Sequence, residues 1–428
     1  MQSILHGERL SKITSFNGID VYHIMMDKFK TNTINFFFCD NITRESASLN
    51  AMIPAVLRRG CEGFPTFRDI ALYLESLYGA VFDCGVTKKG ELQIIQFYIE
   101  FVSDRYTGKA SNIFEKSFEL LEKVVTKPVL DNGVFKQEYV DQEKENLKNL
   151  IEARVNDKLQ YAVEKCYEEM CKDEPFGIHE YGFIDELKKI DANSLYKQYE
   201  YMLETLPLTV FITGNIDEES IGKIIERLKN IKRKNVKSIN ASIINKMVNQ
   251  VKHVTEKMNI NQGKLSMGFR TETAPDSKDY YPLLVYNGIL GGGVHSKLFQ
   301  NVREKASLAY YAFSRLEKFK GLMVISSGIE VDNKDRAVDI IQKQLDEIKA
   351  GNVSDYEYES TIKAIETGVN SLKDNQMHIV DFFLSQLLVG TTENLDTIVQ
   401  KVKQVTKKDV IDVSNKVKLD TVYFLTTK

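Results

Sequence analysis

The sequence predicts an α+β protein of two homologous domains, each a mixed or antiparallel sheet with helices packed on one face. Three observations lead there. First, residues 33–60 (TINFFFCDNITRESASLNAMIPAVLRRG) and 264–291 (KLSMGFRTETAPDSKDYYPLLVYNGILG) share one plan of apolar strand, polar turn, helical stretch and terminating glycine. The interval from Phe38 to Gly60 equals that from Phe269 to Gly291, 22 steps in each. Second, residues 74–105 align with 305–336, each giving an aromatic turn, a strand, a Lys-Gly turn and another strand. Third, the copies end alike, in TLPLTVFITGNID at 205–217 and KLDTVYFLTTK at 418–428, both β-branched and aromatic. A unit of roughly 200 residues used twice also suits the size at which single hydrophobic cores stop growing.

The elements follow in order. The run at 33–39 is a strand, and Leu49, Met52, Ile53, Val56 and Leu57 mark the buried face of the helix after it. Pro54 lies inside that helix, where it is expected to kink the helix or to cost about 3 kcal/mol. Ile113, Ser117, Leu121 and Val124 give the inner face of a later helix, and Val338, Ile341, Leu345 and Ile348 the matching face in the second copy. The stretch IKRKNVKSINASIINKMVNQVK at 231–252 is polar and rich in Lys and Asn, so it reads as a linker between domains at 1–230 and 253–428. Gly291, Gly292 and Gly293 read as a helix stop and tight turn rather than a phosphate cradle.

Composition narrows the function classes. Hydrophobic residues make 43% of the 428 and charged residues 27%, which excludes a disordered or low-complexity chain. A formal charge of -3 supplies no field for nucleic acid or an anionic membrane, and no run of 18 apolar residues occurs. Cys39, Cys61, Cys84, Cys166 and Cys171 are odd in number and scattered, unlike a secreted disulfide framework. The N-terminal MQSILHGERLSKITSFNG lacks the pattern of a secretory leader. A cytoplasmic protein is the expectation, with neither nucleic acid nor membrane as partner.

The chemistry is informed by absences. His6, His23, His179, His253, His295 and His378 include no pair four residues apart, so no helical two-histidine zinc site can form locally. His179-Glu180 is the nearest fragment and reads as a surface or loop histidine. No nucleophile elbow, P-loop or dinucleotide fingerprint is present.

The segment GILGGGVHSKLFQNVREKASLAYYAFS at 288–314 resembles the second-half signature of the pitrilysin/insulinase-type zinc metallopeptidase family, which includes the mitochondrial processing peptidases. FPTFRDIALYLESLYGAVFDCGVTKKGE at 64–91 resembles a non-zinc-binding, YmfF-like group of bacterial members. The resemblance implies repeated α+β domains, here arranged as half of a clamshell around a chamber. It also implies a His-x-x-Glu-His helix in the first half of active members. Counting back from Gly60, those places are held here by Ala51, Pro54 and Ala55, which offer neither ligand nor base. The resemblance puts Glu138 or Glu143 where the family's third zinc ligand stands; without the histidines, either reads instead as a solvated helix carboxylate.

The second half keeps Arg303 and Tyr310, matching the family's Arg/Tyr pair that reaches substrate held at the zinc of an opposite half. The resemblance therefore implies a catalytically incomplete subunit of a heterodimeric peptidase, binding no cofactor of its own. Zinc is expected in a homologous partner bearing His-x-x-Glu-His, and the substrate is a short or unfolded peptide, with ribosomal-peptide maturation as a role by analogy. An extended peptide could add as a strand to a sheet edge, tolerating many side chains. The alternatives are a non-enzymatic structural homologue or a peptide-binding scaffold, in which Arg303 makes a surface ion pair and Tyr310 is a half-buried core aromatic.

Overall fold

The computed structural model describes residues 9–107, 111–244 and 246–428. They form two compact units. One comprises the chain up to Glu152 together with Ile178–Asn240; the other comprises Ala153–Gly177 and Ala241–Lys428. Among the described residues between Ile231 and Val251 there is no helix or strand.

The first unit carries strands β1 (Arg9–Phe16), β2 (Ile19–Met25), β3 (Thr31–Asn41), β4 (Val81–Lys89), β5 (Leu92–Val102), a two-residue ribbon of β6 (Leu130–Asp131) and β7 (Val134–Phe135), and β8 (Leu208–Thr213). Its main sheet runs β1-β2-β8-β3-β5-β4, with β2 and β8 parallel and the other neighbours antiparallel. The second unit carries β9 (Lys252–Met258), β10 (Gly263–Arg270), β11 (Ala309–Glu317), β12 (Leu322–Ile329) and β13 (Lys418–Thr427), in the order β11-β12-β10-β13-β9. There β13 and β9 are the parallel pair. Reversed, this order matches β2-β8-β3-β5-β4 strand for strand, so the repeat seen in the sequence is a repeat of topology, with β1 as an added outer strand.

Alternation places the core. Ile34, Phe36 and Phe38 of β3 point under helix α1 (Arg44–Leu57) and the helix Ile113–Thr126, where Phe36 meets Phe118 edge-on at 6.2 Å. Phe37 lies on the opposite face, 6.0 Å from Phe211, and is also buried, so the strand reads as one continuous apolar run. Ile113, Ser117, Leu121 and Val124 are all buried, as their spacing predicts. In the second unit Leu265, Met267 and Phe269 share a core with Ile341, Leu345 and Ile348.

The glycines that end the duplicated helices act by close approach rather than by a left-handed turn. A Cβ on Gly60 would stand 2.4 Å from the Pro65 carbonyl oxygen, and one on Gly291 2.3 Å from the Ser314 amide nitrogen. Helix Tyr280–Gly291 does stop here, with Gly292 as its cap, but none of the three glycines has a positive φ.

The opposite face of the second sheet is covered by helix Lys158–Met170, which belongs in sequence to the first repeat. Gly268 gives it room to approach closely, since a Cβ there would lie 2.9 Å from Met170 Sδ and 3.1 Å from Cys166 Sγ. A buried charge cluster fastens the end of this segment. Arg270 Nη2 donates to Glu174 Oε1 at 2.6 Å and its Nε to Asp420 Oδ2 at 2.8 Å, while Lys320, 0% exposed, reaches Glu174 Oε2 at 2.8 Å. Two buried cations thus meet two carboxylates, which offsets the cost of removing them from water.

Burial alone would raise the Glu174 pKa, but hydrogen bonds from Arg270, Lys320 and Lys246 outweigh it and hold the carboxyl at about 2 instead of 4.5. Because the folded value is the lower one, this contribution to stability is complete above pH 4.5 and is lost as pH falls toward 2. Glu174→Gln should therefore destabilise the protein by about 3–5 kcal/mol near neutral pH, since two buried cations lose their shared partner. It should also flatten the acid limb of stability. Urea unfolding followed by circular dichroism across that pH window checks both, and an unchanged midpoint would contradict the pairing argument.

Candidate functional site

Helix α1 begins at Thr43, whose hydroxyl accepts from the Ser46 amide at 3.1 Å. It continues through Pro54 to Leu57, so the proline does not break it. Proline removes the amide that would have bonded the Asn50 carbonyl, yet the turn closes behind it, with the Arg58 amide donating to Pro54 O at 3.1 Å. The Cys84 thiol also donates to that carbonyl, at 3.2 Å. Burial pushes the Cys84 thiol up to about 12, so it remains protonated and inert at neutral pH.

Ala51, Pro54 and Ala55 line a cleft of about 530 Å³, together with Phe67, Val86, Glu143 and Leu150. Of the two candidate carboxylates, Glu143 is in the cleft. Glu138 is exposed one turn earlier and accepts from Gln142 at 3.2 Å. Glu143 is already committed: Arg59 Nε donates to its Oε1 at 2.5 Å and Asn146 Nδ2 to its Oε2 at 3.0 Å. Seven residues on, and so on the same face of the helix Gln137–Ala153, stands Leu150. That spacing was a usable signal for Leu150. The contributions of Arg58, Arg59 and Cys84 come from packing and had none.

The cleft does not fit a zinc ion. Its three helix positions carry no donor and its one carboxylate is paired with Arg59. Among the described residues no group of three or more His, Cys, Asp or Glu could hold a metal. The histidines serve locally: His295 Nε2 is 2.9 Å from Thr361 Oγ1, and His179 Nδ1 accepts from the Tyr181 amide at 3.1 Å. His6 lies outside the described residues, as do residues 1–8 as a whole, which open the segment read for a leader. All five cysteines are free thiols. Among the described residues no helix is long and apolar enough to cross a membrane.

Arg303 and Tyr310 lie in the second unit. Arg303 is in a wide helical turn, Phe299–Lys305, and its guanidinium sits over the Phe299 ring at 4.6 Å. Its one ion pair among the described residues, to the adjacent Glu304, is long at 3.6 Å, and the side chain is 44% exposed. The Leu308 amide donates to Val302 O at 3.2 Å and closes the turn into β11, the edge strand. The β11–β12 register shifts between Ala309 and Tyr311, so Tyr310 occupies a bulge. Bulges re-aim side chains, and Tyr310 is 68% exposed rather than part of a core.

Comparison with known proteins places this geometry. Residues 189–365 match the family model described as the peptidase M16 inactive domain. The chain is 35% identical over 408 residues to the probable inactive metalloprotease YmfF of Bacillus subtilis strain 168, covering 95% of this chain and 96% of that one. The chain belongs to the peptidase M16 family. This M16 chain is also 25% identical over 239 residues to the uncharacterized zinc protease YmxG of the same strain, covering 54% of this chain and 57% of YmxG. A crystal structure of a conserved protein from Enterococcus faecalis V583 superposes with a TM-score of 0.91 at 27% identity, covering 98% of this chain and 99% of that one. The present chain is an inactive M16-type homologue, with no metal donor at Ala51, Pro54 or Ala55 of α1.

Two outcomes follow for the purified M16 chain. Elemental analysis by mass spectrometry should find far less than one zinc per chain, and a stoichiometric content would contradict the reading of Ala51, Pro54 and Ala55. The triple change Ala51→His, Pro54→Glu and Ala55→His should leave peptide hydrolysis near background. Arg59 still holds Glu143 and Leu150 still offers no ligand, so the supporting shell is missing.

Proposed function

We propose that this M16 chain is the non-metal subunit of a heterodimeric zinc metallopeptidase and supplies Arg303 and Tyr310 to substrate bound at a zinc-bearing partner. In this reading the first half, 1–230, is a degenerate peptidase domain, 231–252 a linker, and 253–428 the half that presents the pair. The partner is a homologue carrying His-x-x-Glu-His, and the substrate a short or unfolded peptide. One observation carries the reading: a chain whose α1 positions carry no metal donor keeps a guanidinium exposed on a helical turn and a phenol exposed on the bulged edge strand that follows, both free of the strong internal partners that would explain them structurally. That one Bacillus subtilis strain holds both YmfF and the zinc protease YmxG supports such a pairing of relatives.

The chemistry of the pair is donation. The partner's zinc would supply the activated water. Arg303 and Tyr310 would hydrogen-bond the peptide carbonyl oxygen and stabilise the charge that develops there, about 3 kcal/mol for each well-placed donor. Five free thiols accord with a cytoplasmic setting, and peptide maturation is the role this chemistry suits.

The test is reconstitution with the zinc-bearing homologue from the same genome. Arg303→Ala and Tyr310→Phe should each lower turnover about 100-fold or more while the complex still elutes as one species in size-exclusion chromatography. Unchanged turnover in both variants would remove the pair from catalysis.

A further inference from the structure

The cleft left by the lost metal site has acquired properties that zinc binding would not need. Its mouth exposes two large apolar side chains, Phe67 at 51% and Leu150 at 53%. Its floor is Met52 and Leu147, both buried. Water in contact with such a surface is displaced favourably by an apolar group, and a volume of about 530 Å³ accommodates a few residues of peptide.

The electrostatics are equally specific. Arg59 and Glu143 neutralise each other, whereas Arg58, half-buried at the same wall, has no ion pair among the described residues. Its guanidinium sits over the Phe67 ring at 5.3 Å, so its cationic fork and an apolar surface lie side by side. The cleft therefore holds one uncompensated positive charge next to its apolar mouth. Beside it, β4 ends its sheet and so presents an unpaired outer edge, and nothing lies within 4 Å of where a Cβ on Gly85 would stand, which leaves room over the strand.

We propose that this cleft captures the C-terminus of a peptide, Arg58 binding the terminal carboxylate and the exposed surface of Phe67 and Leu150 taking an apolar last side chain. The carboxylate and side chain of a terminal residue share one Cα, which matches the adjacency of Arg58 and Phe67. An internal Asp or Glu has no apolar side chain of its own. A free amino acid would bring an ammonium into a cleft that is already positive. A fatty acid has no amides to pair with the outer edge of β4. The proposal goes beyond the role assigned to Arg303 and Tyr310 and shares with it only the class of ligand.

The test uses the full chain alone and fluorescence anisotropy. The probes are an N-terminally fluorescein-labelled hexapeptide ending in Leu as the free acid, the same peptide as the C-terminal amide, and dodecanoate as competitor. The acid should bind saturably and the amide roughly tenfold or more weakly, as loss of a charge-assisted pair requires. Arg58→Gln should bring the acid down to the level of the amide, and Leu150→Glu, at a half-exposed site that tolerates substitution, should abolish binding of the acid. Dodecanoate should not displace the peptide. Absence of saturable binding, equal binding of acid and amide, retention of the preference in Arg58→Gln, or displacement by dodecanoate at peptide-like concentrations would each overturn the proposal. Because no partner and no cleavage enter the assay, its failure leaves the Arg303 and Tyr310 reading standing, and failure of that reading leaves this one.

Discussion

The arrangement of the second unit depends on a charge constraint. Arg270 and Lys320 are fully buried, and a buried cation is tolerable only where a carboxylate meets it with good geometry. Glu174 meets both, and Asp420 completes the set. Glu174 lies in the first repeat by sequence, so the segment Ala153–Gly177 must lie against the second sheet. Gly268 provides the space and Cys166 and Tyr423 the apolar contact, but the unpaired alternative is what makes any other placement expensive.

The first unit shows what becomes of a metal cleft once its donors are gone. A zinc site is polar, and its ligands are held by further hydrogen bonds. Here the helix positions are Ala and Pro, the remaining carboxylate is tied to Arg59, and the neighbouring thiol is kept protonated by burial. The cleft has closed chemically while staying open sterically. The fold survives because α1 is fixed by its buried face and its cap rather than by a metal, and even Pro54 is accommodated within it.

Much of this was legible in the residues. The duplication appeared as matching intervals between aromatic strands and glycines, because a repeated topology needs repeated burial periods. The missing donors were legible because ligand chemistry is a property of residue type. The resemblance around 288–314 picked out Arg303 and Tyr310, but their exposure was beyond its reach: an aromatic at a strand start is compatible with either side of a sheet until a bulge sets its direction. Likewise Glu138 and Glu143 are equivalent in a helical sequence, and only the packing of that helix beside α1 brings Glu143 to the cleft.

Residue types and their spacing were enough to establish a twice-used α+β unit and a first-copy helix with no metal donor at Ala51, Pro54 and Ala55, since periodicity and donor chemistry are local properties. Three-dimensional packing alone decided that helix Lys158–Met170 serves the second sheet, that Pro54 leaves its helix unbroken, and that Arg58 stands uncompensated beside Phe67. These outcomes rest on contacts between residues far apart in the chain. A buried face records that it will be covered, not by what.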